Sequence, residues 1–389
     1  MRIVVIGAGS TGTSVAYNLS LISEDEILIL DHRPPGNGMT SFSTAVVRTH
    51  YSNEITARLA LESRNFFEHN QSETGFKKTG MVTVAPAEMK QDLMRNIKML
   101  NRLGIREEFY DAQTASEKFV KLSFYGDEFV SFEPDSGYAD PVSTARFFFD
   151  LGMRNGVKYQ RGNVARVEHG QDNRPVILLD DGSRISSDKV VLCTNIWTNR
   201  LLKHSGIDEG SLLPIKVSPH PVLLYRRAGD SAGVIPVVSD LVNRDYYKPE
   251  GESLLSGGSL RAELDEVDTD PENFNPEIDF QYIAEYSNRI SRRFRNFSTA
   301  VLSSYYFGFY DNTPDEHPIV DSLESIGMPN VYCCVGLSGH GFKLSPSLGK
   351  LTADLVLQKE LPYLKHFKLD RFRRNDSIFR RYKGIGTVA

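Results

Sequence analysis

Cysteine is scarce in this chain of 389 residues, with only Cys193, Cys333 and Cys334, and none in Cys-x-x-Cys spacing. An odd, unpatterned set gives neither a disulfide framework nor a zinc site, and it suits a reducing compartment. An excess of positive charge is also missing: 45 Lys and Arg stand against 50 Asp and Glu, for a net charge of −5. Without a basic face there is no general electrostatic reason to bind nucleic acid. Long apolar runs are absent too. Ile3 to Ile6 has only strand length and is followed by glycines, without the apolar stretch and cleavage site of a signal peptide. No later segment approaches the roughly 18 apolar residues needed to span a bilayer. These absences predict a cytoplasmic protein without a transmembrane segment or a metal, whose partner is a small molecule. Peripheral membrane association stays open.

What is present is the composition of a soluble globular protein, 40% hydrophobic and 24% charged. The length exceeds one ordinary core and predicts two interleaved domains. No internal repeat is visible. The opening reads as strand (Ile3 to Ile6), glycine turn, helix (Thr13 to Ser20) and strand (Ile27 to Asp31), a βαβ unit. Apolar runs without polar alternation suit parallel strands buried on both faces, so a doubly wound sheet is expected. Strands at Val176–Leu179 and Val190–Leu192 flank the hairpin signal Asp180-Asp181-Gly182. An amphipathic helix over Ala87–Leu103 and strands at Pro221–Tyr225 and Leu254–Gly258 fall in the second domain, as does the acidic loop Asp265–Asp279. A closing strand Val331–Gly336 and helix Ser345–Gln358 return the chain to the first domain.

Bulky side chains in a strand-helix turn keep a diphosphate at a distance. Gly7 and Gly9 let backbone approach it, and Gly12 lets helix meet strand. Gly7, Gly9, Ser10, Thr11 and Gly12 are the expected cradle. Asp31, nineteen residues beyond Gly12, stands where a carboxylate accepts ribose hydroxyls, with His32 beside it. The fingerprint alone does not separate FAD from NAD, and Arg33 also reads as a partner for an NADP phosphate.

Other segments narrow the choice: Gly36 to Arg48, Gly137-Tyr138-Ala139-Asp140-Pro141, the strand Gly156 to Val164, Val190 to Trp197, Thr313-Pro314-Asp315-Glu316-His317, and Gly339-His340-Gly341-Phe342-Lys343. With the glycine turn they resemble the D-amino acid oxidase superfamily of flavoproteins, and within it the branch of monomeric sarcosine oxidase and the β subunit of heterotetrameric sarcosine oxidase. The resemblance spans most of the chain. It implies an α/β fold in which a Rossmann-like FAD-binding domain carries a substrate domain of mixed, mainly antiparallel sheet. The expected division is 1–80, 137–216 and 302–365 for FAD, 81–136 and 217–301 for substrate, and a basic tail at 366–389.

Carried over by position, the resemblance implies that Arg48 and Lys343 hold a substrate carboxylate. Two converging cations orient a small zwitterion as well as attract it, so that a C–H next to nitrogen is presented to flavin N5 for hydride transfer. Lys343, just ahead of the expected helix, would add its charge to the helix dipole against a reduced ring. Gly336, Gly339, Gly341 and Phe342 are the expected ring-facing turn, Ser43 and Thr44 further cofactor contacts, and Val164 the backbone contact to adenine. His340 reads equally as a flavin partner or a structural histidine. Of Tyr246 and Tyr247 only one can face the substrate, because adjacent strand residues point oppositely, and Tyr246 is favoured.

The departures matter as much. Gly308 stands where monomeric sarcosine oxidase tethers its flavin through cysteine, and Met39 to Phe42 holds no tethering histidine, so the FAD is expected to be noncovalent. Ala45 replaces an arginine, and Leu255 aligns with the oxygen-activating lysine, so a dehydrogenase with another electron acceptor is expected. Asn195 replaces a usual glycine. The resulting reading is oxidation of a sarcosine- or proline-like amino acid. Its rivals are a flavoprotein oxidising a hydroxy acid or glycerol phosphate, and an FAD subunit of a larger electron-transfer complex. For the last, the tail from Lys365 to Lys383, with Arg371-Phe372-Arg373-Arg374, is either a docking surface for a partner subunit or an ordinary solvated tail packed by its aromatics.

Overall fold

The apolar runs at the start become strands with no exposed face. In the computed structural model, which describes residues 1–226, 235–251, 254–259, 264, 267–295, 297, 300–359 and 363–373, strand β1 (Arg2–Ile6) lies between β2 (Glu26–Asp31) and Lys189–Leu192, parallel to both. The full order is Ile319–Ser322, Val331–Val335, Lys189–Leu192, β1, β2, Lys158–Arg161, with the first strand alone antiparallel. Alternate side chains serve two cores. Ile3, Val5, Ile27 and Ile29 pack with Val15 and Leu19 of helix α1 (Ser10–Ile22), while Val4, Ile6, Leu28 and Leu30 pack on the other face with Val167, Ile177 and Ile185. Both faces are covered, as the unalternating sequence required.

The cover on the second face corrects the hairpin expectation. Pro175–Leu179 does turn at Asp180–Gly182, but its partner is Arg184–Ser186, and with Val164–His169 it makes a three-stranded antiparallel meander. Lys189–Leu192 then enters the parallel sheet beside β1.

A second sheet of eight strands runs in the order Val301–Asn312, Lys216–Arg226, Leu254–Ser259, Asp245–Glu250, Val237–Asp240, Met81–Ala85, Phe129–Glu133, Glu108–Asp111. Its pairings are antiparallel except that of Val237–Asp240 with Met81–Ala85. Helix Phe280–Arg293 covers one face, packing Tyr286 and Ile290 against Tyr247 and Leu255. The opposite face looks toward the glycine turn of the first sheet. Strand Val301–Asn312 pairs along the length of Lys216–Arg226, so residues 302–312, read as returning to the first domain, instead extend this sheet, and the return comes with Ile319–Ser322 and Val331–Val335.

The final helix spans Gly341–Val356, four residues earlier than the sequence suggested, and Lys343 sits in its first turn rather than ahead of it. It crosses α1 where Gly349 meets Ser14; a Cβ there would lie 2.1 Å from Ser14 Oγ. The expected helix from Ala87 begins as a short 3-10 turn and continues as Lys90–Arg102. Where the tail is described it is partly packed, with Phe367 buried and Arg371 buried against Asp315 and His317, while Lys365 and Arg373 are exposed. Arg374 onward lies outside the described residues. No helix among the described residues is long and apolar enough to cross a membrane.

Candidate functional site

The two sheets enclose a cavity of about 970 Å³ that starts at the glycine turn and ends against the larger sheet. Gly7, at φ +109°, bends the chain so sharply that a Cβ there would sit 2.4 Å from the Cys193 carbonyl oxygen. Gly12 is as constrained, its would-be Cβ being 1.9 Å from the Gly7 carbonyl. Gly9 precedes α1 without supplying a side-chain cap, so the first amides of that helix are available to an anion, except Ser10 N–H, which Thr40 Oγ1 accepts at 3.0 Å. Asp31 closes the turn from the end of β2: its Oδ2 accepts the Ala8 amide at 2.7 Å and its Oδ1 the Arg33 amide at 2.9 Å. A carboxylate has further lone pairs, and Asp31 faces the cavity with them.

Gly7, Gly9, Ser10, Thr11, Gly12, Asp31, His32, Ser43, Thr44 and Val164 all line the cavity. At the far end, so do Tyr246, Gly339, Gly341, Phe342 and Lys343. The two stretches belong to opposite ends of the chain and meet because α1 and the final helix both point their N-termini into this space. Arg33 also lines the wall, with its guanidinium over the Trp197 ring at 5.7 Å.

Three expected residues stand outside the lining. Gly336 donates its amide to Asp311 Oδ2 at 2.7 Å and shapes the turn from behind. His340 points its Nδ1 at the Tyr51 hydroxyl, 3.2 Å away, with burial and the charges of Lys343 and Arg48 holding it well below its ordinary value. It is a buried neutral histidine set behind the wall. Arg48 is also buried, donates to the His50 carbonyl, and lies over the Tyr51 ring at 4.2 Å. Its segment is fixed by Glu133, whose Oε2 accepts from Thr49 N at 2.6 Å, Thr49 Oγ1 at 2.7 Å and His50 N at 2.9 Å.

Of the two cations expected to hold a carboxylate, Lys343 is the one that reaches the cavity. Its Nζ donates to the Gly339 carbonyl at 3.1 Å, and burial together with the nearby Arg48 charge lowers its pKa well below the usual lysine value. Tyr246, also on the cavity wall, hydrogen-bonds through its side chain with Thr44 and Tyr310, and burial pushes its hydroxyl up to about 12. Tyr247 faces the other way, into the core against Tyr286 and Phe294. Leu255 shares that core face, since it lies opposite Pro249 in the ladder, whereas Gly258 lies opposite Tyr246. Its correspondence with an oxygen-activating lysine therefore fails on geometry.

Sequence reasoning missed His220 and Tyr310, whose rings stack at 3.9 Å and 22° along the same wall. The signal was present as a histidine between two prolines, Pro219 and Pro221, where a strand would otherwise be plain.

The chain matches the profile of the DAO family, FAD dependent oxidoreductase, over residues 2–355. It belongs to that family. N-methyl-L-tryptophan oxidase of Escherichia coli strain K12 is 24% identical over 392 residues, covering 95% of this chain and 99% of the relative. The 4-methylaminobutanoate oxidase (formaldehyde-forming) of Paenarthrobacter nicotinovorans is 23% identical over 373 residues; the match covers 92% of this chain but only 44% of that protein. Among solved structures, L-proline dehydrogenase from P. horikoshii superposes with a TM-score of 0.85 at 23% identity, over 96% of this chain and 98% of the other. That likeness is one of fold. The DAO protein described here is accordingly an FAD-dependent oxidoreductase, and the glycine cradle, open helix start and Asp31 fit the dinucleotide.

Proposed function

We propose that this DAO-family protein oxidises a small amine bearing a carboxylate, of the sarcosine or proline kind, by removing hydride from the carbon next to nitrogen. The observation that carries the reading is Lys343: a buried cation on the wall of the same cavity that the glycine cradle, Tyr246 and Tyr310 line. Lys343 takes the carboxylate, and Arg48 reinforces it from behind with its charge. The stacked His220 and Tyr310 with Tyr246 exclude water from the substrate's other side. FAD, when bound, supplies the two-electron acceptor. No protein base is needed in this reading, because the amine loses its proton on binding. The matched relatives include oxidases of N-methylated amino compounds and a proline dehydrogenase, which favours amines over hydroxy acids.

Two finer points belong to the same proposal. Gly308 offers no side chain for a tether, and burial raises the thiol pKa of Cys193, the cysteine on the wall, well above its ordinary value, so FAD is held noncovalently. Ala45, buried and uncharged, stands where the sarcosine oxidases carry an arginine, which supports an electron acceptor other than oxygen. The deciding experiment mixes the yellow protein anaerobically with sarcosine, proline, glycine, D-amino acids and, separately, hydroxy acids and glycerol phosphate. Bleaching by the first group is expected; bleaching by the second group alone overturns the proposal.

A further inference from the structure

Asp311 is a buried carboxylate on the cavity wall, 1% exposed, at the end of the longest strand of the large sheet. Its Oδ2 accepts the Gly336 amide at 2.7 Å and its Oδ1 the Leu337 amide at 3.0 Å. Its own carbonyl accepts Ser338 N–H at 3.3 Å. Three consecutive amides of the turn before the final helix thus converge on one residue. The turn needs such a hold, because Gly336, Ser338 and Gly339 have φ of +65°, +47° and +74°, a strained run for the non-glycine member. The neighbouring Tyr310 supports the same turn, its ring lying 2.7 Å from where a Gly339 Cβ would be. Among the described residues no cation forms an ion pair with Asp311; backbone donors alone support its charge.

The cavity has two ends. Asp31 and Val164 are the residues read as meeting the ribose and adenine, so the isoalloxazine ring is assigned to the part of the wall formed by Gly339, Lys343 and Asp311. We propose that Asp311 is a positioning residue for that ring: its carboxylate fixes the turn facing the ring and sets against it a negative charge that Lys343, on the same wall, opposes. Reduction adds negative charge to the ring, which a carboxylate disfavours and an ammonium favours in a space with little water. The cofactor's midpoint potential then reflects the balance of the two. The inference rests on the proposed placement of the ring at this end of the cavity.

The test is the midpoint potential of the holoenzyme, taken by reduction against a reference dye at pH 8, above the value of about 7 to which burial raises the Asp311 carboxyl. Asp311→Asn is expected to raise the potential, to alter the visible flavin spectrum and to weaken FAD binding to apoprotein by roughly tenfold, the worth of one charge-assisted hydrogen bond. Should that variant not fold, Asp311→Thr, neutral but able to accept one amide, is measured in its place with the same expectation. Lys343→Met is the control and is expected to lower the potential. If Lys343→Met moves the potential and the neutral Asp311 variants lose only stability, the role of Asp311 is overturned. If neither position moves it, the placement of the ring fails and the inference with it.

Discussion

Arg371 and Asp315, 56 residues apart in sequence, form a buried two-pronged pair, with Nε to Oδ2 at 2.7 Å and Nη2 to Oδ1 at 3.0 Å. The same guanidinium donates to the Phe367 carbonyl at 2.9 Å and the His317 carbonyl at 2.8 Å. It ties the C-terminal segment to the loop that follows Asp311. Removing one member of such a pair leaves a charge buried without its counterion, so Arg371→Leu should cost about 3–5 kcal/mol. Urea unfolding measures this. A midpoint within error of the parent would show that the pair contributes nothing.

The neighbouring His317 predicts a pH dependence. Burial lowers its pKa from 6.5 to about 4, so the folded protein keeps it neutral while the unfolded chain protonates it at the higher value. Between those two values the unfolded state binds the extra proton, so the contribution of His317 to stability falls as pH falls from 6.5 toward 4, by about 3 kcal/mol at most, against an opposing contribution from Asp311, whose raised carboxyl takes up its proton in the folded state over the same range. His317→Asn should flatten that slope in denaturant midpoints taken at pH 7 and pH 5.

Lys343→Met should raise the apparent Kd for substrate by about tenfold to a hundredfold and slow flavin bleaching, while FAD stays bound. The unaltered protein should also lose substrate affinity as pH rises through the lowered lysine value, since only the ammonium attracts a carboxylate. Rapid mixing under anaerobic conditions gives both numbers, and unchanged kinetics in the variant would remove Lys343 from the site.

Gly7→Ala should yield protein that takes up no FAD. The added methyl would meet the Cys193 carbonyl at 2.4 Å in a conformation, φ +109°, that alanine rarely adopts. Titration of apoprotein with FAD, followed by quenching of FAD fluorescence, is the check.

A segment of the acidic loop crosses the cavity wall. Pro271 and Glu272 line it, and Glu272 pairs with Arg200 from the opposite side. The loop is anchored by Asp268 Oδ1 to Val217 N–H at 2.9 Å and by Phe274 packed on Phe307 and Phe309. Both charged partners are half exposed, so the bridge is weak, and Glu272→Gln should speed FAD release by only about two- to fivefold. A change beyond tenfold would mean that Glu272 touches the cofactor directly.

Much of this was readable before the structure. The βαβ opening, Gly7, Gly9, Gly12 and Asp31 are set by local requirements of backbone and period, which a single sequence expresses. Strand alternation required that only one of Tyr246 and Tyr247 face the cavity, and Tyr246 is the one on its wall. What escaped depended on tertiary contacts. Arg48 turns behind the wall over the ring of Tyr51, and His340 takes the structural one of its two readings because the Tyr51 hydroxyl, 289 residues away in sequence, meets it there. The final helix starts four residues before Ser345, with Gly341 to Leu344 already in its first turn and Pro346 inside it. Leu255 was misplaced because an uncertain register in a strand exchanges one face for the other.

The cavity wall draws on residues from Ile6 to Lys343, nearly the whole length of the chain. A polypeptide emerging from the ribosome presents its glycine turn first and the lysine that completes the pocket only after more than three hundred further residues have been made. Capture of the yellow pigment must therefore wait for late stages of synthesis, and chains released early should accumulate colourless and be cleared rather than serve as half-competent intermediates.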